Sequence, residues 1–273
     1  MMGISTRVSH LVGVSAMLAC AAALQIARPL LAQVPSTRSA RAGQTAQLDI
    51  EGAWERYGMF FGPRGNAAPP PNVPPPAMPP PLKPQYRAEW QAAVQRAREA
   101  DAKGQPLATG YTSCLPDGMP AMMAAMFPLE ILVSKGRVTI IEEAFNQVRR
   151  IVMDQPQKPL DEVEPGFFGH SVGRWEGDTL VIDTIGIKDN VRYQNTPHSP
   201  QMRISERIKL VSPDILWDEI TIEDPVTLER PWVVTYAYKR MPNYTLLEYV
   251  CEDNREFADE QGRQRIRIGP RKD

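Results

Sequence analysis

Neither sign of charge is in excess in this chain, which carries 31 Lys and Arg against 32 Asp and Glu, for a net charge of −1. Removal of residues 1–32 takes away Arg7 and Arg28 and no acid, so the net charge becomes −3. This weak balance, without a basic stripe, argues against nucleic acid as a partner. Long hydrophobic runs are lacking too. The apolar stretch 11–24 is too short to span a bilayer comfortably and no comparable run recurs, so the chain is not expected to span a membrane.

Histidine and cysteine are scarce, with three of each in 273 residues. Beyond the N-terminal stretch the histidines are His170 and His198, which are far apart in sequence. A metal site built from them and a carboxylate, Asp183 or Glu206, has no local spacing to support it. We therefore expect no bound metal and no cofactor.

The N-terminal residues 1–32 have the pattern of a signal peptide. Arg7 supplies the positive region, residues 11–24 form the apolar core, and Leu30-Leu31-Ala32 is a plausible cleavage site. Export to the periplasm or beyond would leave Cys114 and Cys251 as the mature cysteines, and an oxidising compartment favours a disulfide between them. Such a bridge would stabilise the fold by about 5 kcal/mol on the chain-entropy view. The alternative is two separate buried thiols.

The mature chain reads as a mainly β protein with accessory segments before and after it. Residues 33–84 are expected to hold a flexible leader, a first strand at 48–54, and a proline-rich arm at 69–84 that adopts polyproline II. Residues 85–104 predict a helix with a thin apolar stripe, which would lie outside the β core. Residues 105–254 form the predicted barrel domain, and residues 255–273 form a charged, peripheral tail.

Short strands with tight turns follow one another in the barrel domain, and no helix separates them. They are predicted at 129–134, 137–144, 146–154, the hairpin 169–184, 203–212, 215–223, 232–240 and 244–251. This order indicates a closed antiparallel β-barrel, similar to calycins and lipocalins, or a sandwich, and excludes a parallel α/β sheet. The hairpin contains Gly169-His170-Ser171-Val172-Gly173, which formally matches G-x-S-x-G. A turn follows rather than a helix, so the context of a nucleophile elbow is missing.

Several charged residues share a strand face with apolar residues. Glu206 alternates with Ile204 and Ile208, and four others do the same on their own strands: Glu142, Arg150, Asp183 and Glu248. Buried charge is costly unless it is paired or solvated, so these residues are expected to line a wet cavity or to pair with one another. A salt-bridge network of Arg150 with Glu142 or Glu206, closing one end of the barrel, is the alternative.

A set of motifs in this chain resembles a large family of exported bacterial β-rich proteins. The residues that carry the resemblance are GHSVGRWEGDTLVIDT at 169–184, with NQVRRI before it, HS at 198–199, SER at 205–207, TIEDP at 221–225, PW at 231–232 and LEYVCEDN at 247–254. The similarity covers about residues 82–254. It implies a single β-rich domain behind a signal peptide, and it implies no particular activity. Where some members have His-Asn after Glu-Glu, this chain has Ala144 and Phe145 before Asn146, so no histidine acts there.

The leading functional hypothesis is an exported, cofactor-free enzyme that acts on a small organic molecule in the barrel cavity by acid/base chemistry, as a lyase, isomerase, hydratase or hydrolase. A loop histidine near a carboxylate can serve as general acid or base because its pKa lies near neutrality. The assigned residues are His170 as base or acid, Asp183 as its orienting partner, and His198 with Glu206 as the complementary pair.

Arg150 would hold an anionic substrate or intermediate. The other expected substrate-binding residues are Glu142, Ser171, Trp175 and Glu248. Two alternatives remain: a lipocalin-like protein that binds a small molecule without catalysis, and an envelope-associated protein whose proline arm is the functional part.

Overall fold

The computed structural model describes residues 49–57, 78–124, 126–251 and 256–266. Nine strands form one closed barrel in sequence order, and two further strands form a separate ribbon. The barrel strands are β1 Gly52–Arg56, β2 Leu129–Ser134, β3 Arg137–Glu142, β4 Gln147–Met153, β5 His170–Glu176, β6 Thr179–Ile185, β7 Arg203–Ser212, β8 Ile215–Glu223 and β9 Trp232–Arg240, and the ribbon strands are β10 Glu256–Ala258 and β11 Gln264–Ile266. The predicted all-β barrel is confirmed.

One neighbouring pair in the barrel is parallel, β4 with β5, and every other pair is antiparallel. An odd number of strands cannot alternate in direction all the way round a closed ring, so a nine-stranded barrel requires such a pair. The connection 154–169 provides it by running back along the barrel before β5 begins. Lipocalin barrels have eight strands, so the strand count and the parallel pair distinguish this barrel from theirs.

The two ends of the barrel differ in the length of their connections. One end carries tight turns, such as 135–136 and 177–178. The other end, here called the loop end, collects the longer segments at 105–128, 186–202 and 224–231 together with the close of the connection 154–169. Long connections on a rigid scaffold are where binding residues are usually found. A binding site is therefore expected at the loop end.

The core fills the barrel with the apolar side chains of alternate strand positions, among them Ile140, Ile182, Ile208 and Ile220, all fully buried. The predicted outer helix is confirmed as α1, Pro84–Ala102, which has no buried residue. Its first turns hold it to the loop end, where Tyr86 and Trp90 pack against the core. In the part of the chain described, no helix has the length and apolar character needed to cross a membrane.

The segment 244–251 is not a strand, so that prediction was wrong. Its pattern is strand-like, but β1 already pairs with β9 and the closed barrel offers no open edge. The segment is held by side chains instead. Glu143 Oε2 accepts hydrogen bonds from the Tyr244 hydroxyl at 2.7 Å and from the Leu247 N–H at 2.8 Å, and Asn146 Nδ2 donates to the Tyr249 carbonyl at 2.7 Å.

The other N- and C-terminal predictions have mixed outcomes. Three predicted segments lie outside the described residues: the signal peptide 1–32, the leader from residue 33 to 48, and the proline-rich arm up to residue 77. The first strand is observed at Gly52–Arg56 rather than at 48–54. Within the predicted tail, β10 and β11 pair around Asp259, which accepts hydrogen bonds from the N–H groups of Gln261 and Arg263.

The predicted bridge between Cys114 and Cys251 is present, with sulfur atoms 2.08 Å apart and a sequence separation of 137. It joins the loop-end segment 105–128 to the strandless segment 244–251. We expect the Cys114→Ser/Cys251→Ser double variant to lose about 5 kcal/mol of unfolding free energy, because the unfolded chain regains the freedom of a long loop. Urea unfolding of the oxidised protein and the variant measures this difference. An unchanged midpoint would contradict the expected contribution.

Candidate functional site

A polar cluster lies inside the barrel, centred on Arg149 of β4. The guanidinium group donates to both carboxylate oxygens of Glu206, through Nη1 at 2.8 Å to Oε1 and through Nη2 to Oε2. Nη2 also donates to Thr184 Oγ1 at 3.0 Å, and Nε lies 3.4 Å from Ser171 Oγ. Both partners of the ion pair are fully buried. These four residues come from four consecutive strands, so their hydrogen bonds connect β4, β5, β6 and β7 across the interior of the barrel.

Asp218 of β8 belongs to the same interior and is also fully buried. Within the described part of the chain neither of its carboxyl oxygens has a hydrogen-bond partner. Burial and the negative charge of Glu206 raise its pKa well above the ordinary value, and the charge of Arg149 offsets this in part. The protonated, neutral form of Asp218 is therefore favoured beside the Arg149–Glu206 ion pair.

A further buried carboxyl group, that of Glu142, lies at the loop end of β3. Gln147 Nε2 donates to Glu142 Oε2 at 2.6 Å and to Asp117 Oδ2 at 3.1 Å, and Gln147 Oε1 accepts from the Asp117 N–H at 2.9 Å. Among the described residues Glu142 Oε1 has no partner. Burial first, and then the charge of Asp117, raises the pKa of Glu142 to about 10. Glu142 is thus a neutral acid, and the Gln147 side chain links it to the segment that carries Asp117.

Three residues predicted to face the interior do not. Arg150 is exposed on β4, and its neighbour Arg149 takes the inward position. Asp183 lies on the outer face of β6, where Arg203 Nε and Nη2 each donate to it at 2.5 Å. Glu248 is exposed and belongs to no strand. Glu206 and Glu142 are buried on the interior face as predicted.

The four predicted catalytic residues are not brought together. His170 Nδ1 contacts Gln157 Oε1 at 2.7 Å, Asp183 binds Arg203, and Glu206 binds Arg149. His198 lies in the connection 186–202, and both of its ring nitrogens lie 3.0 Å from backbone carbonyl oxygens, those of Ser199 and Lys188. Each residue therefore has its own partners, and they form no shared acid/base array.

The Gly169–Gly173 run has a structural explanation that differs from nucleophile chemistry. Gly169 has φ +61°, and a Cβ there would lie 2.3 Å from the Ile185 carbonyl oxygen. Ser171 contacts the Arg149 guanidinium and lies 2.8 Å from Thr184 Oγ1, so its hydroxyl belongs to the interior cluster. Trp175 lies on the same face of β5 as Ser171, partly buried against the core at the far end of the strand.

Gly173 provides the space in which β4 packs against β5. A Cβ there would lie 2.8 Å from Ile151 Cγ2 and 2.9 Å from Met153 Sδ. We expect Gly173→Ala to destabilise the fold by about 1–3 kcal/mol through overpacking. Gly166→Ala is the matched control, because the nearest atom to its added Cβ is 3.8 Å away. Thermal unfolding of the two variants checks this. Equal midpoint temperatures for Gly173→Ala and Gly166→Ala would contradict the expected overpacking.

An open groove of about 530 Å³ lies at the loop end, here called the loop-end groove. The residues that line it come from three connections: Ala108, Thr109, Gly110, Leu115, Pro116, Asp117, Ala121, Ala124, Met126, Phe167 and 190–195. Its wall mixes apolar surface, from Leu115 and Phe167, with polar groups, from Asp117 and Asn190. Binding sites for small organic molecules combine a volume of this order with that mixture.

Tyr193 separates the loop-end groove from a smaller cavity behind it, since it lines both. The inner cavity measures about 20 Å³, room for roughly one water molecule. Its walls include Trp232, whose ring lies 5.0 Å from that of Tyr193, and Met202. The Tyr193 hydroxyl bonds that of Tyr236, and burial is the largest cause of a raised Tyr193 pKa. Tyr193 is thus a fixed, neutral wall of the groove.

Comparisons with known proteins add no family or relative. No protein-family model matches the chain, and a search of curated proteins finds no significant match. The resemblance to exported β-rich proteins accordingly stays a prediction. Among the described residues, no group of three His, Cys, Asp or Glu side chains is arranged to hold a metal ion.

Sequence reasoning missed the residues that organise both sites. Arg149 and Arg150 are adjacent, and the local pattern does not show which of the two is buried. The ion pair with Glu206, which is distant in sequence, shows that it is Arg149. Asp218 alternates with Leu216 and Ile220, which is the same signal that identified Glu206. Nothing in the local pattern pointed to Gln157 or Tyr193, because both belong to connections whose course depends on the folded barrel.

Proposed function

We propose that the protein binds a small organic molecule in the loop-end groove. The observation that supports this most is the groove's position and size, about 530 Å³ at the end of the barrel where the long connections meet. The ligand class that fits is a molecule with one apolar face and one or two hydrogen-bonding groups, since Leu115 and Phe167 lie in the same wall as Asp117.

The barrel interior is a poorer candidate for the ligand. Arg149 and Glu206 are fully buried and form an ion pair with each other, and burial raises the pKa of the neighbouring Asp218. A ligand entering there would have to break the ion pair, and an unpaired buried charge costs about 3–5 kcal/mol. The loop-end groove requires no such rearrangement.

Fragment screening by NMR tests this proposal with a set of neutral phenols and aromatic carboxamides. We expect binders whose chemical-shift changes centre on residues 115–117 and 190–195. Thr109→Trp, which fills the groove from an exposed position, should abolish them, and Thr245→Trp, at an exposed position elsewhere, should leave them unchanged. Binders that survive Thr109→Trp, or shifts centred on β4 and β7, would overturn the proposal.

Acid/base catalysis is a second candidate function, and one observation favours it. His170 is partly buried, and its pKa is lowered by burial and then by the positive charge of Lys158. An imidazole that is neutral near neutral pH can accept a proton from a substrate. Turnover of a weakly acidic substrate that is lost in His170→Ala, with the fold intact, would support this function. Turnover that persists in that variant would remove His170 from it.

We also propose export to an oxidising compartment, periplasmic or extracellular. The Cys114–Cys251 disulfide supports this, because such bridges persist outside the reducing cytosol. Cell fractionation followed by thiol labelling tests it. Recovery of the protein in the cytosol with both thiols free would contradict it.

A further inference from the structure

The side-chain amide of Gln157 has one orientation, because its contacts with the backbone have fixed polarity. Its Oε1 accepts a hydrogen bond from the Lys158 N–H at 3.0 Å. Its Nε2 donates to the carbonyl oxygens of Asp183 at 3.0 Å and of His170 at 3.3 Å. A flipped amide would place its oxygen against two carbonyls and its NH₂ group against an N–H, which loses all three bonds.

The orientation of Gln157 determines the tautomer of His170. His170 Nδ1 lies 2.7 Å from Gln157 Oε1, which is an acceptor, so Nδ1 must carry a proton and donate it. In the neutral ring the lone pair is then on Nε2. Within the described part of the chain Nε2 has no hydrogen-bond partner, and burial together with Lys158 holds the His170 pKa below its ordinary value of 6.5.

We propose that Gln157 is a positioning residue, which fixes the Nδ1–H tautomer of His170 and so makes Nε2 a free base for a weakly acidic small molecule. This deepens the second candidate function and rests on it for a biological role. In the step it supports, a substrate O–H or C–H bond breaks, the proton moves to the Nε2 lone pair, and the ring becomes an imidazolium that keeps its Nδ1–H bond to Gln157. The bonding electron pair stays on the substrate as an anion, near the Lys158 ammonium group.

The charged groups around the ring are consistent with an anionic product. Lys158 acts on His170 electrostatically from the same connection as Gln157. On the neighbouring strands Asp183 and Arg203 share the outer face of the barrel with His170, but they neutralise each other through two hydrogen bonds. Among the described residues, the charge that acts on the imidazole without compensation is therefore the positive charge of Lys158.

His198 supplies an internal contrast. Each of its ring nitrogens lies 3.0 Å from a backbone carbonyl oxygen, so neither is open to a reagent. In the full-length protein, diethyl pyrocarbonate should therefore modify His170 about 10-fold faster than His198 at neutral pH, because Nε2 of His170 is open whereas both ring nitrogens of His198 face carbonyl oxygens that can only accept a hydrogen bond from them. Peptide mapping by mass spectrometry separates the two sites.

Two measurements test the inference. Nitrogen-15 NMR of the imidazole rings reports the tautomer, and diethyl pyrocarbonate labelling of two variants reports how reactive Nε2 is. We expect wild-type His170 to show the Nδ1–H tautomer. In Gln157→Glu a carboxylate faces Nδ1–H and favours the charged ring, so the midpoint of the labelling pH profile should rise and labelling at neutral pH should slow about 10-fold. Gln155→Glu, an exposed neighbour, is the control and should leave both unchanged.

Two results would overturn the inference: an Nε2–H tautomer in wild-type His170, or equal labelling of His170 and His198. An unchanged pH profile in a folded Gln157→Glu variant would mean that the side chain at position 157 does not face Nδ1, and it would contradict the inference as well. The tautomer of His170 measured in the wild-type protein tests the inference even if Gln157→Glu does not fold. Because these measurements read the ring rather than turnover, absence of any catalysed reaction would remove the second candidate function and leave the tautomer assignment standing.

Discussion

Arg149→Met is expected to cost about 3–5 kcal/mol of unfolding free energy, because it leaves Glu206 as an unpaired buried charge. The neighbouring Asp218, whose pKa is raised by burial and by the charge of Glu206, supplies no compensating positive charge. The hydrogen bond from Arg149 to Thr184 Oγ1 is lost as well. Urea unfolding at neutral pH measures the difference from wild type.

Arg150→Met is the matched control for that variant, since Arg150 is the next residue on the same strand and is exposed. It should stay within about 0.5 kcal/mol of wild type. The double variant Arg149→Met/Glu206→Leu should recover part of the loss, because an apolar pair of similar volume needs no desolvated charge. Equal costs for Arg149→Met and Arg150→Met would contradict the buried ion pair.

Glu142→Gln is expected to stabilise the protein at alkaline pH by several kcal/mol. The folded state holds the Glu142 proton up to a pKa of about 10, whereas the unfolded chain releases it near 4.5. Stability from this group is therefore complete below about pH 4.5 and is lost as pH rises toward 10, at about 1.4 kcal/mol per pH unit. A glutamine keeps the acceptor for Gln147 Nε2 and has no proton to lose.

Unfolding curves at a series of pH values test this expectation. Near pH 5 the variant and wild type should differ by less than about 1 kcal/mol, and near pH 8 the variant should be more stable by about 3–5 kcal/mol. Glu89→Gln on the exposed face of α1 should follow the wild-type curve. Parallel curves for Glu142→Gln and wild type would mean that Glu142 ionises normally in the folded protein.

The local sequence pattern predicted the strands well. It predicted only in some strands which charged side chains point into the barrel. In β4, Val148, Arg150 and Val152 alternate as plausibly as Arg149, Ile151 and Met153, so the strand itself does not say which arginine is buried. Glu206 on β7, distant in sequence, decides it. In β6 both faces are apolar because the outer face is also covered, with Val181 and Ile185 nearly as buried as Leu180 and Ile182, and the prediction therefore turned Asp183 inward.

Closure of the barrel could not be predicted from local sequence patterns either. Residues 244–251 alternate like a strand, but β1 pairs with β9 and leaves no edge for them. The loop-end groove depends on three connections meeting, and periodicity says nothing about the course of a connection. Glu142 and Glu206 were correctly placed inside, since each alternates with fully buried apolar residues along its own strand.

The central claim is that the polar cluster of the barrel is closed core and that ligands bind outside it. Solvent exchange of the Arg149 guanidinium protons in the native, unliganded protein tests this most directly, with Arg150 as the reference on the same strand. We expect the Arg149 Nε–H to exchange at least about 100-fold more slowly than that of Arg150, because its release requires opening of the barrel. Equally rapid exchange at both arginines would place water, and room for a ligand, at the ion pair, and would contradict the account.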